Sequence, residues 1–287
     1  MVLDNMDNNW LSNFSDGPAK IHGEFGIIDK ILSTLNNTLN DNHQHFCVEF
    51  GAGNGIGASN SYNLIHSQNF SALLIEPDPI KFNHLQDLYT NNQHVITHNG
   101  YVSWQGDDSL DNILSKYNAP KCFDLLSIDI DGNDYHVWES LINYEPYLVV
   151  IEFNETIPVT VSFIQEKNPS INQGSSLLAL FDLAKLKGYE LICVSENNAF
   201  FIHKRFFHLF NIHDNSPLSM VPHQKYITYI FTGYDGTTHL AGNPTMRWHF
   251  SDFKSSKIQQ LPFFLRSFPP NYNFIQRLLF RIWRRLR

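Results

Sequence analysis

Five short apolar runs, separated by helix-like or turn-like stretches, constrain the fold of this chain more than any other feature. They are HFCVEFGAG, SALLIEPD, HVITHNGYVS, FDLLSIDIDGND and YLVVIEFNE. Each run is almost continuously apolar, as strands buried on both faces are. Helix-like patterns occupy 59–67, 79–89 and 135–143. The alternation predicts an α/β fold with a doubly wound, mostly parallel, Rossmann-like sheet.

A different pattern follows the fifth run. A polar excursion covers 155–174, and a helix is predicted from Ser175 to Lys187, with Gly188 at its C-terminal cap. The runs YELICVSE and NAFFIHK come next, joined by a connection of a few residues. A connection this short predicts a final antiparallel hairpin.

Four parts of the chain differ in composition. They are an Asn- and Asp-rich N-terminal arm (1–21), a main domain that opens with a helix (22–205), an accessory or acceptor-binding region (206–272) and a basic amphipathic helix (273–287). The accessory region is rich in aromatic residues, His and Pro, and it has no clear period. We therefore expect it to be irregular, and its aromatic stretch 226–253 would shape an acceptor pocket or pack in a core.

The overall charge argues against one class of partner. The chain carries 20 Lys and Arg against 28 Asp and Glu, a formal net charge of −8. A nucleic-acid binder needs a basic face to neutralise phosphates, so no nucleic-acid partner is expected. The sequence has no secretory signal, no apolar run of about 18 to 20 residues and no metal-ligand spacing among its three cysteines. We therefore expect a cytoplasmic protein, and the sequence predicts no particular oligomeric state.

The glycine-rich segment CVEFGAGNGIG predicts a ligand-binding turn at the end of the first strand. Glycines allow a tight turn and a close backbone approach to a ligand. Residues 53–58 also fit G-x-G-x-x-A, the dinucleotide pattern. Glu49 before the turn would suit a cationic amino-acid ligand such as S-adenosylmethionine. Glu76 lies about 20 residues onward, where an acid accepts hydrogen bonds from a ribose in either cofactor.

Acidic residues also follow the fourth and fifth strands. Asp129, Asp131 and Asp134 crowd the end of one, and Glu152 and Asn154 end the other. Their oxygens would form a Mg²⁺ site, with Asp129, Asp131 and Glu152 as candidate ligands, or would bind substrate hydroxyls. Acids buried at a strand end need such partners to offset the loss of hydration.

Several of these segments together resemble a known family. GEFG, VEFGAGNGIGASN, LLIEPDP, LLSIDIDGNDYHVWESL, VVIEFNETIP and GSSLLALFDLAKLKGYELICVSENNAFFIHK, in this order, resemble the FkbM-type S-adenosylmethionine-dependent methyltransferases over about residues 22–205. The resemblance implies a class I methyltransferase fold with S-adenosylmethionine as cofactor. It also implies O-methylation of a sugar hydroxyl on a glycan, glycolipid or glycosylated metabolite.

The resemblance assigns roles to particular residues. The methionine part of the cofactor would be held by Glu49, Gly51, Gly53 and Asn54. Glu76 would hold the ribose, and Asp129 would lie beside the transferred methyl group. Related sugar methyltransferases use Mg²⁺, but their second acidic pair appears here as Glu152 and Asn154.

Three ways of removing the acceptor proton and two alternative functions stay open on the sequence. Asp129 would remove the acceptor proton directly, a bound Mg²⁺ would acidify the hydroxyl, or His136 would act as the base. An NAD-dependent or nucleotide-sugar-modifying Rossmann enzyme is the competing enzymatic interpretation. A non-catalytic Rossmann scaffold in a glycan assembly complex is the non-enzymatic one.

The tail 273–287 has an amphipathic pattern of its own. Apolar residues recur at i, i+3, i+4 and i+7, and five arginines fall largely on the other side. The tail would lie peripherally on an anionic membrane at its inner face, or dock on the acidic body of the protein.

Overall fold

The computed structural model describes residues 7–15, 24–39 and 43–286, and its centre is a seven-stranded sheet. The strands are β1 (Phe46–Phe50), β2 (Ser71–Glu76), β3 (Val95–Asn99), β4 (Cys122–Ile128), β5 (Glu145–Glu152), β6 (Tyr189–Val194) and β7 (Asn198–His203). Their order in the sheet is β3-β2-β1-β4-β5-β7-β6. β7 runs antiparallel to β5 and β6, whereas the other neighbouring pairs are parallel. This is a doubly wound, mostly parallel α/β fold, and the predicted sheet and final antiparallel hairpin are confirmed.

Seven helices accompany the sheet. They are α1 (Phe25–Asn36), α2 (Tyr62–Gln68), α3 (Pro79–Tyr89), α4 (Leu110–Lys116), α5 (Asp134–Ser140), α6 (Leu177–Lys187) and α7 (Pro217–Met220). Local signals fix several ends: Asp78 accepts hydrogen bonds from the first turn of α3, and Gly188 ends α6 with φ +81°. α4 is not among the helices predicted from the sequence, although three apolar residues at helical spacing are buried on it.

The sheet is buried on both faces, as the continuous apolar runs predict. Every residue of β4 from Phe123 to Ile128 is buried, and so is every residue of β5 from Pro146 to Ile151. β3 lies at the sheet edge and is only half-buried. Removing one large aliphatic side chain from water stabilises a fold by roughly 1.5–3 kcal/mol. The rigid core therefore holds the carboxyl ends of β1, β2, β4 and β5 at one edge, where the candidate site lies.

The described part of the N-terminal arm packs on the main domain. Residues Trp10–Phe14 form a 3-10 helix, and Leu11 is fully buried. The Asn9 side chain exchanges two 2.9 Å hydrogen bonds with the backbone of Val194, and the Trp10 indole donates to the Phe210 carbonyl. Residues 1–6 and 16–23, including part of the GEFG motif, lie outside the described residues.

The chain divides into two compact units, Met1–Pro222 and His223–Arg287. Residues 206–221, assigned to the accessory region on sequence, pack in the first unit, where Phe210 and Met220 join the core. The second unit has two small hairpins and a terminal helix: β8 (Thr228–Thr232), β9 (Thr238–Gly242), β10 (Thr245–Met246), β11 (Ser251–Asp252) and α8 (Phe274–Arg285). The β8–β9 hairpin differs from the predicted irregular region. Within the described ranges, no helix is both long and apolar enough to cross a bilayer.

Candidate active site

The glycine turn and the acidic end of β4 are in direct contact. Gly51 follows β1 with φ +78°, in the left-handed region that favours glycine. A Cβ added there would lie 1.8 Å from the backbone carbonyl oxygen of Asp129. No side chain fits at residue 51, so the absence of a Cβ lets the turn pack on Asp129.

Glu76 holds the next part of the turn at the end of β2. One carboxylate oxygen accepts the Gly53 N–H at 2.7 Å, and the other accepts the Asp78 N–H at 2.8 Å. Among the described residues other than its chain neighbours, none has an atom within 4 Å of the position that a Cβ on Gly53 would take, so this side of the turn has room for a ligand. The Asn54 side chain accepts the N–H groups of Ile56 and Gly57 and so shapes the turn from within.

Glu49 has a different set of contacts from those that the sequence predicts. Its buried carboxylate accepts hydrogen bonds from the Ser59 hydroxyl at 2.7 Å, the Asn60 N–H at 2.7 Å and the Ser61 hydroxyl. Burial raises the pKa of Glu49, although these hydrogen bonds partly lower it. Glu49 therefore anchors the segment 59–61 beneath the turn, and its contact with a methionine amino group stays a prediction.

The glycine turn does not lead directly into a helix. α2 begins only at Tyr62, four residues after Ala58, which itself has φ +58°. The dinucleotide fingerprint needs a helix N-terminus immediately after its glycines to bind pyrophosphate. Residues 53–58 match that pattern in sequence without forming its structure.

The carboxylates of Asp129, Asp131 and Glu152 come together at the ends of β4 and β5. One oxygen from each lies within 4.8 Å of the others. The turn after β4 is held by buried Asp134, whose two oxygens accept the Ile130 N–H at 2.9 Å and the Gly132 N–H at 2.8 Å. The predicted grouping of three acids is thus present, and Asp134 shapes it without joining it.

Asp129 and Glu152 form a coupled pair of carboxyls. Asp129 is exposed to solvent, although protein atoms also surround it closely. Burial raises the pKa of Asp129, and the charges of Asp134 and Asp131 raise it further. Burial and the neighbouring charge of Asp129 raise the pKa of Glu152 to a greater extent. The pKa values of both carboxyls therefore lie above those of ordinary carboxyls, and Asp129 ionises before Glu152 as pH rises.

Two asparagines that belong to this region serve different purposes. The Asn197 amide, from the β6–β7 turn, donates to Glu152 at 2.9 Å. Asn154, which the sequence analysis adds to the acid cluster, instead donates to the Gln173 carbonyl and accepts from Thr156. Nothing in the sequence marks Asn197, because it lies 45 residues from its partner in a hairpin turn.

His136 is buried beneath the polar excursion. Its Nε2 lies 2.9 Å from the Gln165 backbone carbonyl oxygen. Nε2 donates a hydrogen bond to this oxygen when it carries the imidazole proton. Its other contacts are with Glu139 and the Trp104 ring. Gln165 is itself buried, and its side chain accepts the N–H groups of Gln173 and Gly174. These contacts give His136 a structural task, and its role as a base stays a prediction.

Comparison with known protein families and with curated proteins gives no match for the chain. Among solved structures, monomeric WbdD is similar over 62% of this chain and 40% of its own, with 15% identity and a TM-score of 0.39. The SAH-bound N-terminal domain of EvdMO1 is similar over 68% and 93%, with 10% identity and a TM-score of 0.39. A putative sarcosine dimethylglycine methyltransferase from Galdieria sulphuraria is similar over 56% and 60%, with 14% identity and a TM-score of 0.37. The chain spans about two fifths of the length of WbdD.

Proposed function

We propose that this chain is an S-adenosylmethionine-dependent O-methyltransferase that acts on a sugar hydroxyl. The observation that carries the proposal is the contact between Gly51 and the Asp129 backbone. It puts an open glycine turn, suited to a cofactor, directly beside a carboxyl pair with raised pKa values. Carboxyls with perturbed pKa values are typical of catalytic sites.

Two features favour S-adenosylmethionine over NAD. The antiparallel β7 stands between β5 and β6, whereas the dinucleotide-binding sheet is parallel in the order 3-2-1-4-5-6. The glycine turn also has no helix N-terminus for a pyrophosphate, because α2 starts at Tyr62. Glu76 beside the open face of Gly53 suits the ribose of the cofactor.

The chemistry follows from the carboxyl pair. When bound, S-adenosylmethionine would supply an activated methyl group to the acceptor oxygen and would leave as a neutral thioether. Asp129 accepts the hydroxyl proton as the new carbon–oxygen bond forms. Glu152 keeps its own proton, donates it in a hydrogen bond to Asp129 and is held in turn by Asn197. Because the methyl group is already activated, alignment accounts for most of the acceleration.

The same acids also suit a divalent cation. Asp129, Asp131 and Glu152 would hold Mg²⁺ through oxygens, the ligand type that this ion prefers. The ion would acidify the acceptor hydroxyl when bound. A sugar acceptor is supported by the family resemblance and by the cluster of Asp129, Asp131 and Glu152, whose oxygens suit an array of hydroxyls.

Calorimetric titration tests the cofactor. We expect S-adenosylmethionine and S-adenosylhomocysteine to bind, and NAD⁺ not to bind, in matched experiments with and without Mg²⁺. Gly53→Ala puts a methyl group into the open space and is expected to weaken binding by about tenfold or more, about 1.4 kcal/mol. Gly106→Ala is the control, since Gly106 also has positive φ and open space. Binding of NAD⁺ alone would contradict the proposal, and binding of none of the three would favour a scaffold.

The terminal helix α8 supports a second part of the proposal, peripheral binding to the inner face of a membrane. Five apolar residues of α8 are exposed, of which Phe274 is 82% exposed and Ile275 is 65% exposed, whereas Phe280 and Trp283 are half-buried. Four arginines lie on the same helix, at 277, 281, 284 and 285. Asn273 and Gln276 form a capping box, which favours a helix even at the end of the chain. An exposed apolar face beside arginines matches an anionic bilayer surface.

Vesicle flotation tests the proposed binding of α8 to a membrane. We expect the full chain to float with vesicles that contain phosphatidylglycerol and to stay unbound with neutral phosphatidylcholine. Each arginine near the surface contributes about 1 kcal/mol, so four contribute roughly a thousandfold in affinity. Leu278→Asp with Ile282→Asp keeps every arginine and is expected to abolish flotation, as is truncation to 1–272. Equal flotation of the full chain and the truncated chain would rule out the helix as the membrane contact.

A further inference from the structure

A second cluster of ligand-type side chains lies at the opposite edge of the sheet. His43 and His45 immediately precede β1, and Asp124 lies in β4, the strand beside it. Residues two apart in an extended segment point to the same side, so both imidazoles face Asp124. Asp129 lies five positions after Asp124 in the sequence, which corresponds to about 16 Å along a strand. The cluster is therefore separate from the candidate active site.

The distances within this cluster match a tetrahedral metal. His43 Nε2 lies 2.8 Å and His45 Nδ1 lies 3.4 Å from the same oxygen of Asp124, and all three ligand atoms lie within 4.8 Å of one another. Zinc bonds of about 2.0–2.1 Å in a tetrahedron separate neighbouring ligand atoms by about 3.3 Å. Small side-chain shifts would bring all three into range.

Surrounding groups hold the three side chains in place. Asp124 is 1% exposed, and its second oxygen accepts the Phe46 N–H at 2.9 Å. The His45 ring stacks on Phe70 with centroids 4.6 Å apart, and the His43 ring packs against Tyr147 at 5.5 Å. Such outer contacts are typical of metal ligands, because they fix orientation before the ion binds.

The cluster also has an open side. The side chain of His43 is 15% exposed and that of His45 is 34% exposed, so water reaches the imidazoles while Asp124 stays covered. Two imidazoles and one carboxylate leave the fourth tetrahedral position to a water molecule. Imidazole nitrogens select Zn²⁺ over Mg²⁺, which prefers oxygens.

We propose that His43, His45 and Asp124 form a Zn²⁺ site that joins the entry of β1 to β4. The ion replaces the hydrogen bonds that the two imidazoles make to the buried carboxylate, and it neutralises that carboxylate. The site stabilises the sheet from the edge opposite the cofactor. It is independent of methyl transfer, so its test and the test of the proposed function fail separately.

Cobalt titration of the full chain tests the site, because Co²⁺ takes zinc positions and its absorption reports coordination geometry. Excess Mg²⁺ is present throughout, so that the acids at the other edge of the sheet are occupied by the ion that they prefer. We expect one equivalent of tetrahedral Co²⁺, displaced by Zn²⁺. Zn²⁺ is also expected to raise the midpoint of thermal unfolding, since it binds the folded chain.

Paired variants separate this site from the other histidines. The double substitution His43→Ala with His45→Ala is expected to abolish the tetrahedral signal, and Asp124→Asn to weaken Co²⁺ binding at least tenfold. The control, His84→Ala with His94→Ala, removes two exposed histidines and should leave the signal unchanged. The proposal would be overturned if the tetrahedral Co²⁺ signal survived the first double substitution, or if the wild-type chain bound no Co²⁺. Absorption from a thiolate bound to Co²⁺ would also overturn it, because it would put Cys122 among the ligands.

Discussion

Replacing Asp129 with Asn is expected to lower kcat/KM by about 10²–10⁴-fold, the usual contribution of a positioned base. The amide has the same shape but does not accept the hydroxyl proton. The contact of the Asp129 backbone with Gly51 is unaffected, so affinity for S-adenosylmethionine should stay close to that of the wild type. Steady-state kinetics and calorimetry on the same preparation measure both quantities.

Two further measurements test whether Asp129 is the base. Asp131→Asn changes an exposed acid of the same turn and should cost much less, whereas an equal loss in both variants would point to a metal site. In the wild type, kcat/KM should rise with pH through a range above that of an ordinary carboxyl, because the pKa of Asp129 is raised. Wild-type turnover in Asp129→Asn would show that Asp129 is not the base.

The same pair predicts a change in stability with a definite sign. The pKa values of Asp129 and Glu152 are higher in the folded chain than in the unfolded chain, so folding is disfavoured once both ionise. Their contribution to stability is therefore present at low pH and is lost as pH rises through the folded pKa values. Asp129→Asn removes one of the two charges, so its unfolding midpoint should fall less than that of the wild type between neutral and alkaline pH.

Replacing Gly51 with Ala is expected to be the most destabilising single substitution in the site. The added Cβ would lie 1.8 Å from the Asp129 carbonyl oxygen. Neither atom can rotate away, because the backbone fixes the position of both. The left-handed conformation alone costs a non-glycine residue about 1–2 kcal/mol. Relief of the clash requires the turn to move away from β4, so we expect a loss above about 3 kcal/mol, in the range of severe backbone effects. Urea unfolding measures it.

Gly106→Ala provides the matched comparison. Gly106 has φ +73° and no atom within 4 Å of the added Cβ, so this variant reports the backbone strain without the clash. The difference between the two losses isolates the contact between the glycine turn and Asp129. Equal losses would mean that the turn relaxes freely and that its packing on Asp129 contributes little.

The sheet could be predicted from sequence because burial on both faces leaves a strong local signal. Each parallel strand appears as an apolar run, and helix ends appear as single residues such as Asp78 and Gly188. The residues that bind one another across loops leave no such signal. Gln165 and Asn197 are ordinary polar residues in sequence, and only the fold brings them to His136 and Glu152.

The contacts of Glu49 illustrate a second limit. Its place at the end of β1 follows from the sequence, but its direction depends on how the next ten residues fold. Two serine hydroxyls and two backbone N–H groups donate to its carboxylate, and the helix that would mark a dinucleotide site starts later than the pattern suggests. Composition at a strand end predicts which residues are near a site more reliably than it predicts what each of them touches.

The late position of β7 has a consequence for synthesis of the protein on the ribosome. The glycine turn, Glu76 and Asp129 all precede residue 130 in the sequence. The part of the chain that would bind the cofactor is therefore synthesised, and can begin to fold, before translation ends. Glu152 acquires its partner Asn197 only when the last hairpin has left the exit tunnel. The nascent chain therefore contains both Asp129 and Glu152 before Asn197 and β7 exist to complete the surroundings of Glu152.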